Sequence, residues 1–289
     1  MTAEKSFRFR LYIEALGGLV LICCRHEACR DGIRRYYSPL VRDTPWRSPD
    51  ITIYVEWPQS DRYLYRARPA RAPLALDGVW VRRHGQEAVA WESLTPPLPP
   101  LCEPPFAGRF YGLHGACFSF DNSTAIIVAG SSGSGKTSMA VEACVNHGAT
   151  LLTDETVILH NRTVIAEPFP RAIGLRSADG ATKEVLPADA IVPRIGTVPL
   201  PVRRLLFLSS ESGGTPVLQG LRPTQTFGLL VQHHLDVGGP IDDGIVSLAT
   251  MARSLPAELF RYGSASQLRG RLEQLVARLV PELEMASTR

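Results

Sequence analysis

Eight residues limit this chain more than any others: Gly130, Ser131, Ser132, Gly133, Ser134, Gly135, Lys136 and Thr137, read as GSSGSGKT. They match G-x-x-x-x-G-K-[ST] at every fixed position. The apolar run TAIIVA (residues 124–129) precedes them and reads as a buried strand. SMAVEACVN (residues 138–146) follows and reads as a helix, stopped at His147 and Gly148. A strand feeding a glycine-rich turn into a helix is a phosphate cradle. Glycine lets the backbone wrap closely, so consecutive N–H groups converge on an anion. The helix N-terminus adds its positive end. Lys136 reaches β- and γ-phosphate oxygens, and the Thr137 hydroxyl suits Mg²⁺. ATP or GTP binding is the first expectation.

The rest of the chain divides at TPPLPPLCEPP (residues 95–105), where six of eleven positions are proline. Proline lacks an N–H donor and fixes φ, so this stretch is neither helix nor central strand. It reads as a linker between a strand-rich domain at 1–94 and an α/β domain at 106–289. Within the first part, residues 7–11, 18–23 and 50–56 read as strands, 79–83 with 88–91 as a hairpin, and 28–37 as a helix. Within the second, residues 150–153 and 202–208 read as strands. Residues 156–159 and 163–166 read as a hairpin turning at Asn161 and Arg162. Residues 224–234, 243–254 and 266–280 read as helices.

Of the 289 residues, 45% are hydrophobic and 20% charged, enough apolar material for a core. The net charge of +3 is too small for the concentrated basic face that nucleic acid demands. The apolar run at 15–24 is too short for a membrane span, and MTAEKSFRFR lacks a long apolar core, so the sequence reads as cytoplasmic with no membrane partner. Cysteines at 23, 24, 29, 102, 117 and 144 include no C-x-x-C pair. His26 between Cys24 and Cys29 allows a metal site, against the plainer reading of small buried thiols.

Several further residues suit chemistry at a nucleotide. Asp154 and Glu155 end the strand after the P-loop helix. A strand beside the P-loop strand, parallel to it, puts such carboxylates near the γ-phosphate, one for Mg²⁺ and one for the proton of an attacking hydroxyl. Against this stands a plain acidic turn. His114, in FYGLHGACFSF just upstream of the P-loop strand, suits a proton carrier or a structural role. Arg171 and Arg176 are candidates for stabilising transferred charge or are surface residues.

Together these segments resemble a known family. The run LHGA…TAIIVAGSSGSGKTSMA…HGATLLTDETVIL…VIAEPFPRAIGLR is similar to the C-terminal catalytic domain of HPr kinase/phosphorylase and its broader relatives, and LPAELFRYG (residues 255–263) resembles that family's closing strand. The resemblance spans residues 106–280. It implies a P-loop fold of the phosphoenolpyruvate-carboxykinase type and use of ATP and Mg²⁺. It implies catalytic roles for Asp154, His114, Lys136 and Arg171, and metal binding by Thr137 and Glu155. The pair Asp154–Glu155 stands where the bifunctional enzymes have Asp-Asp, and Arg171–Ala–Ile–Gly174 departs from their signature loop. The closer resemblance is to related kinases of modified-peptide pathways. The function it implies is transfer of the γ-phosphate to a serine of a peptide or protein. A small-molecule kinase and a non-catalytic nucleotide-binding regulator are the alternatives. Self-association is a further implication.

Overall fold

The structure, a computed structural model, describes residues 7–56, 63–69, 89–93, 106, 108–176, 183–211, 214–235 and 241–286. The chain forms two compact units, Met1–Ala107 and Gly108–Arg289. The proline-rich stretch at 95–105 and the expected strand at 79–83 lie outside the described residues.

The first unit is built on a six-stranded sheet. Its elements are β1 (Phe9–Ala15), β2 (Gly18–Cys24), α1 (Glu27–Tyr36), β3 (Val41–Arg42), β4 (Ile51–Glu56), β5 (Tyr63–Pro69) and β6 (Val89–Ser93), in the sheet order β3-β1-β2-β4-β5-β6. β1 starts two residues later than its alternation predicts and runs on to Ala15, closing a tight hairpin with β2 through Leu16 and Gly17. β2 and β4 pair in parallel across the helix. Cys29, Ile33 and Tyr36 form the buried stripe of α1 at helical spacing, and α1 packs on β1 and β2. Cys23, Cys24 and Cys29 are buried thiols in this core, and no group of three metal-ligating side chains occurs among the described residues.

The second unit is mixed α/β. Its strands are β7 (Phe110–Leu113), β8 (Gly115–Ser119), β9 (Ala125–Gly130), β10 (Thr150–Thr153), β11 (Val157–His160), β12 (Ile165–Glu167), β13 (Ile173–Arg176), β14 (Lys183–Leu186), β15 (Leu200–Ser210), β16 (Val217–Gly220), β17 (His234–Leu235) and β18 (Ala257–Tyr262). Its helices are α2 (Lys136–Asn146), α3 (Ala188–Ile191), α4 (Pro223–Gln232), α5 (Ile241–Ser254) and α6 (Ala265–Ala286). β9 lies parallel to β15, and β15 lies parallel to β18. β8 is antiparallel to β9 on its other side, and β10 is antiparallel to β8. β15 also pairs β12, which leads through β11 and β7 to β17.

Period-two alternation sorts the central strands between two cores. Ile126 and Val128 of β9, with Leu206 and Leu208 of β15, face one core with α2 and α6. Ala125, Ile127 and Ala129, with Val202, Leu205 and Phe207, face the other with α4 and α5. Helices on both faces explain why β9 is wholly buried and why its sequence is continuously apolar.

The sheet differs from the expected one in a way that matters. β10 is not beside the P-loop strand, because β8 lies between them. Two successive antiparallel pairings still leave β10 pointing the same way as β9. Its carboxyl end, at Asp154, therefore reaches the same edge as residues 130–137. β7 and β8 flank His114 and were hidden in FYGLHGACFSF, where glycines and a histidine interrupt the apolar pattern.

Candidate functional site

The P-loop segment takes the shape its glycines require. Gly133 and Gly135 sit at φ of 80° and 81°, in the left-handed region that other residues adopt only with strain. A side chain at Gly135 would also run into Leu268 of α6. At Gly130 the constraint is space. A Cβ there would lie 2.5 Å from the Leu208 carbonyl oxygen and 2.5 Å from Ser134 Oγ. Ser131, Ser132 and Gly133 are exposed, whereas Ser134 is buried and its Oγ has no hydrogen-bond partner. Gly135 is the N-cap of α2, and Met139 N–H donates to its carbonyl. The cap has no side-chain acceptor for the first N–H groups of the helix, so these remain for an anion. A buried orphan hydroxyl, tight glycines and an open helix start fit a nucleotide's phosphates.

Lys136 is buried beneath the loop. Its Nζ donates to the carbonyl oxygens of Gly130 and Ser131, both at 2.8 Å. Burial pulls its pKa down, while the Asp154 and Glu155 charges oppose that. Both partners are backbone carbonyls, so the ammonium can move to a phosphate oxygen without leaving a charged partner behind.

Thr137 makes the contact that defines the site. Its hydroxyl donates to the Asp154 carboxylate, 2.9 Å from Oδ2 and 3.1 Å from Oδ1. Asp154 is 2% exposed. Burial raises its pKa, and the neighbouring Glu155 charge adds to that. The Thr137 bond and Arg171 pull the other way. A carboxylate made more basic by desolvation is a better proton acceptor near neutral pH.

Glu155 points elsewhere. It adopts φ 65°, and Thr156 N–H donates to the Asp154 carbonyl across it at 2.9 Å. This is a γ-turn, a conformation that costs a non-glycine residue on the order of 1–3 kcal/mol. The turn sends the two adjacent carboxylates apart. Asp154 meets Thr137, and Glu155 lies 3.8 Å from Arg171 with a third of its side chain exposed. Thr137, expected to hold metal together with Glu155, makes its direct hydrogen bond to Asp154.

Arg171 is 5% exposed and grips the same turn. One terminal nitrogen donates to Thr156 Oγ1 at 2.7 Å and to the Asp154 carbonyl at 3.4 Å. Thr153 Oγ1 lies 2.7 and 2.9 Å from the carbonyl oxygens of Thr156 and Phe169, between which its one proton is shared. These bonds hold the turn from below, so Arg171 sits as a brace behind the carboxylates. Arg176, at the end of β13, has a side chain outside the described residues.

His114 joins the turn to the loop. Its Nδ1 lies 3.0 Å from the Glu155 carbonyl oxygen. A carbonyl only accepts, so Nδ1 carries the proton and Nε2 the lone pair in the neutral ring. Burial and then the Lys136 charge lower its pKa, favouring that neutral form. Its backbone N–H donates to the His233 carbonyl at 2.7 Å.

That last contact brings in residues the sequence did not single out. α4 ends at His233, whose N–H donates to the Leu229 and Leu230 carbonyls. The His233 ring stacks on Phe207 of β15, centroids 6.3 Å apart and planes 25° from parallel. Burial, Lys136 and His114 lower its pKa. A cavity of about 300 Å³ opens here, lined by His114, Ser131, Gln232, His233, His234 and Leu235. The sequence carries no cue for this wall, because His233 and His234 read as the last turn of an amphipathic helix.

No protein-family model matches the sequence, and no curated protein matches it. Among solved structures, the chain is similar to the HPr(Ser) kinase/phosphatase from Coxiella burnetii, at 10% sequence identity and a TM-score of 0.32. That match covers 62% of this chain and 99% of the other. It is a distant structural relationship only. Among the described residues, no helix is long and apolar enough to cross a membrane.

Proposed function

We propose that this chain is an ATP-dependent phosphotransferase that passes the γ-phosphate to a hydroxyl, a serine side chain of a peptide or protein. One observation carries the reading: the P-loop hydroxyl of Thr137 is hydrogen-bonded to the buried carboxylate of Asp154. A binding loop alone needs no carboxylate at its helix start, whereas transfer needs a base and a metal site beside the reacting phosphate.

In this reading the N–H groups of residues 130–137 and Lys136 hold the triphosphate. Thr137 and Glu155 would hold Mg²⁺, which would neutralise the phosphate oxygens of the nucleotide. Asp154 takes the acceptor's proton, helped by the basicity that burial gives it. Lys136 stabilises charge on the transferred group. Arg171 fixes the turn on which both carboxylates stand, so it positions rather than reacts. His114 bonds the same turn through Nδ1 and sits beside the loop.

The test is direct. The purified chain is incubated with Mg-ATP labelled at the γ-phosphate and a degenerate peptide library with a central serine. Phosphoserine found by mass spectrometry supports the reading. Intact Mg-ATP binding without transfer to the peptides, to free serine or to glycerol would overturn it in favour of a nucleotide-binding regulator. Transfer to the free acceptors alone would shift it to a small-molecule kinase.

A further inference from the structure

The cavity beside the P-loop has a wall of unusual character. Among the described residues its lining is three histidines, one amide, one hydroxyl and one leucine, with no carboxylate, lysine or arginine. Ser131, on its rim, belongs to the phosphate loop, and Lys136 donates to the Ser131 carbonyl. His114 ties the cavity to the acidic turn through the Glu155 carbonyl. One boundary is therefore the phosphate loop, at Ser131, and another is His114, which bonds the turn bearing Asp154.

The opposite boundary is the carboxyl end of α4, a ten-residue helix. Gln232 is its last residue and His233 its C-cap. A helix C-terminus presents carbonyl oxygens and roughly half a negative charge, which disfavours an anion and favours a hydrogen-bond donor. The volume is at the small end of ligand pockets, right for one side chain rather than a nucleotide base and sugar. The arrangement is also rigid. His233 is clamped between Phe207 and the His114 N–H, and β17 pairs with β7 at Leu113 and Gly112.

We infer that this cavity seats the phosphoryl acceptor, an uncharged hydroxyl-bearing group whose oxygen is presented to the P-loop between His114 and the end of α4. The inference rests on the phosphotransferase reading above and names its acceptor subsite. The acceptor O–H gives its proton to Asp154 as the acceptor oxygen forms its bond to the γ-phosphorus. The bond from that phosphorus to the bridging oxygen breaks, and its electron pair stays on ADP. His233 and Gln232 position the acceptor, and Leu235 closes the apolar side.

Imidazole signals of the full-length chain, bound to Mg-ADP, are followed by ¹H–¹³C NMR while probes are added. N-acetyl-serine methylamide stands for a peptide-borne hydroxyl, glycerol for a free one and N-acetyl-aspartate methylamide for an anion. We expect the His233 signal to move with the serine amide or with glycerol, whichever source is right, and not with the aspartate amide. Leu235→Trp fills the cavity and should abolish that movement. Gln232→Leu, at an exposed position that folding tolerates, removes the amide that meets the probe and should weaken probe binding about tenfold. The Mg-ADP affinity is measured in parallel by calorimetry and should change less than probe binding in both variants. A failure of Mg-ADP to bind the native chain sinks the phosphotransferase reading. Normal Mg-ADP binding with no His233 response to either hydroxyl probe overturns the acceptor subsite alone. A stronger response to the aspartate amide, or equal probe binding in Gln232→Leu, overturns it as well.

Discussion

Replacing Asp154 by asparagine separates what this residue does for folding from what it does for chemistry. The native carboxylate is 2% exposed, and burial holds its pKa above the ordinary 3.8. A carboxyl whose pKa is raised on folding binds its proton more tightly in the native state. Its favourable contribution is complete below pH 3.8 and is lost as pH rises through the native pKa. At neutral pH the ionised group therefore lowers stability. Asparagine keeps an oxygen that accepts from Thr137, so the 2.9 Å contact survives while the buried charge disappears. Relieving the burial of a charged group is worth about 1–3 kcal/mol, less the lost attraction to Arg171 and Lys136. We expect a net gain of about 1 kcal/mol, or roughly 2–4 °C in Tm for a unit of this size. Loss of the proton acceptor should at the same time reduce transfer by about 10²- to 10⁴-fold. Scanning calorimetry from acid to neutral pH would show the two proteins melting together at low pH and diverging as pH rises. A variant less stable than the native chain at neutral pH, or a difference that does not depend on pH, would refute the reasoning. So would unchanged phosphoryl transfer.

Other perturbations have equally definite outcomes. Lys136→Met removes the buried ammonium under the loop and should cut transfer by about 10²-fold or more while the fold persists, since its present partners are two carbonyls that can meet water or a bound phosphate; single-turnover kinetics with the native chain as reference decides it. Gly130→Ala forces a methyl group onto the Leu208 carbonyl and Ser134 Oγ, so β9 and β15 must separate; urea titration should show a loss of about 1–3 kcal/mol, and equal midpoints would contradict the close approach. His114 and His233 both have pKa values lowered from 6.5, so the unfolded chain binds more protons and stability should fall as pH drops below 6.5 through their native values. His233→Asn should flatten that slope, and thermal melts showing identical slopes would remove His233 from the effect.

How much of this was visible in the amino-acid order depends on how local each cause is. The P-loop was legible because its strand, glycines and helix are contiguous and each obeys a short-range rule. Gly148, at φ 69°, ends α2 as a left-handed stop should. The hairpin of β11 and β12 followed from its turn, where Arg162 takes φ 59°. Asp154 and Glu155 were legible as a pair but not as two different environments. Nothing in the letters Asp-Glu says that a γ-turn will bury one and leave the other against Arg171. The place of β10 was misread because a strand following a P-loop helix is expected alongside the P-loop strand, whereas β8 occupies that position by pairing made earlier in the chain. Short strands such as β13, β14 and β16 exist through their partners more than through their own residues, and β16 is mostly exposed. The histidine wall was invisible for a similar reason. It forms where a helix end meets a loop more than a hundred residues upstream, and no spacing rule links them.

The eleven residues of β15 have a consequence for the life of the chain before it works. β15 joins β9 at Val202–Leu208, β18 at Leu205–Ser210 and β12 at Leu200 and Pro201. It is the strand on which both halves of the sheet are hung. A ribosome finishes the phosphate loop, at Thr137, about sixty residues before it reaches β15 at Leu200, a delay of several seconds at about 5–20 residues per second. For that interval the apolar strand AIIVAG has only its hairpin partner β8, with one edge open. Such an edge invites pairing with another nascent chain. The segment between them then acts as a timer on quality, and slow translation through it lengthens the exposure of the very strand that will carry the phosphate site.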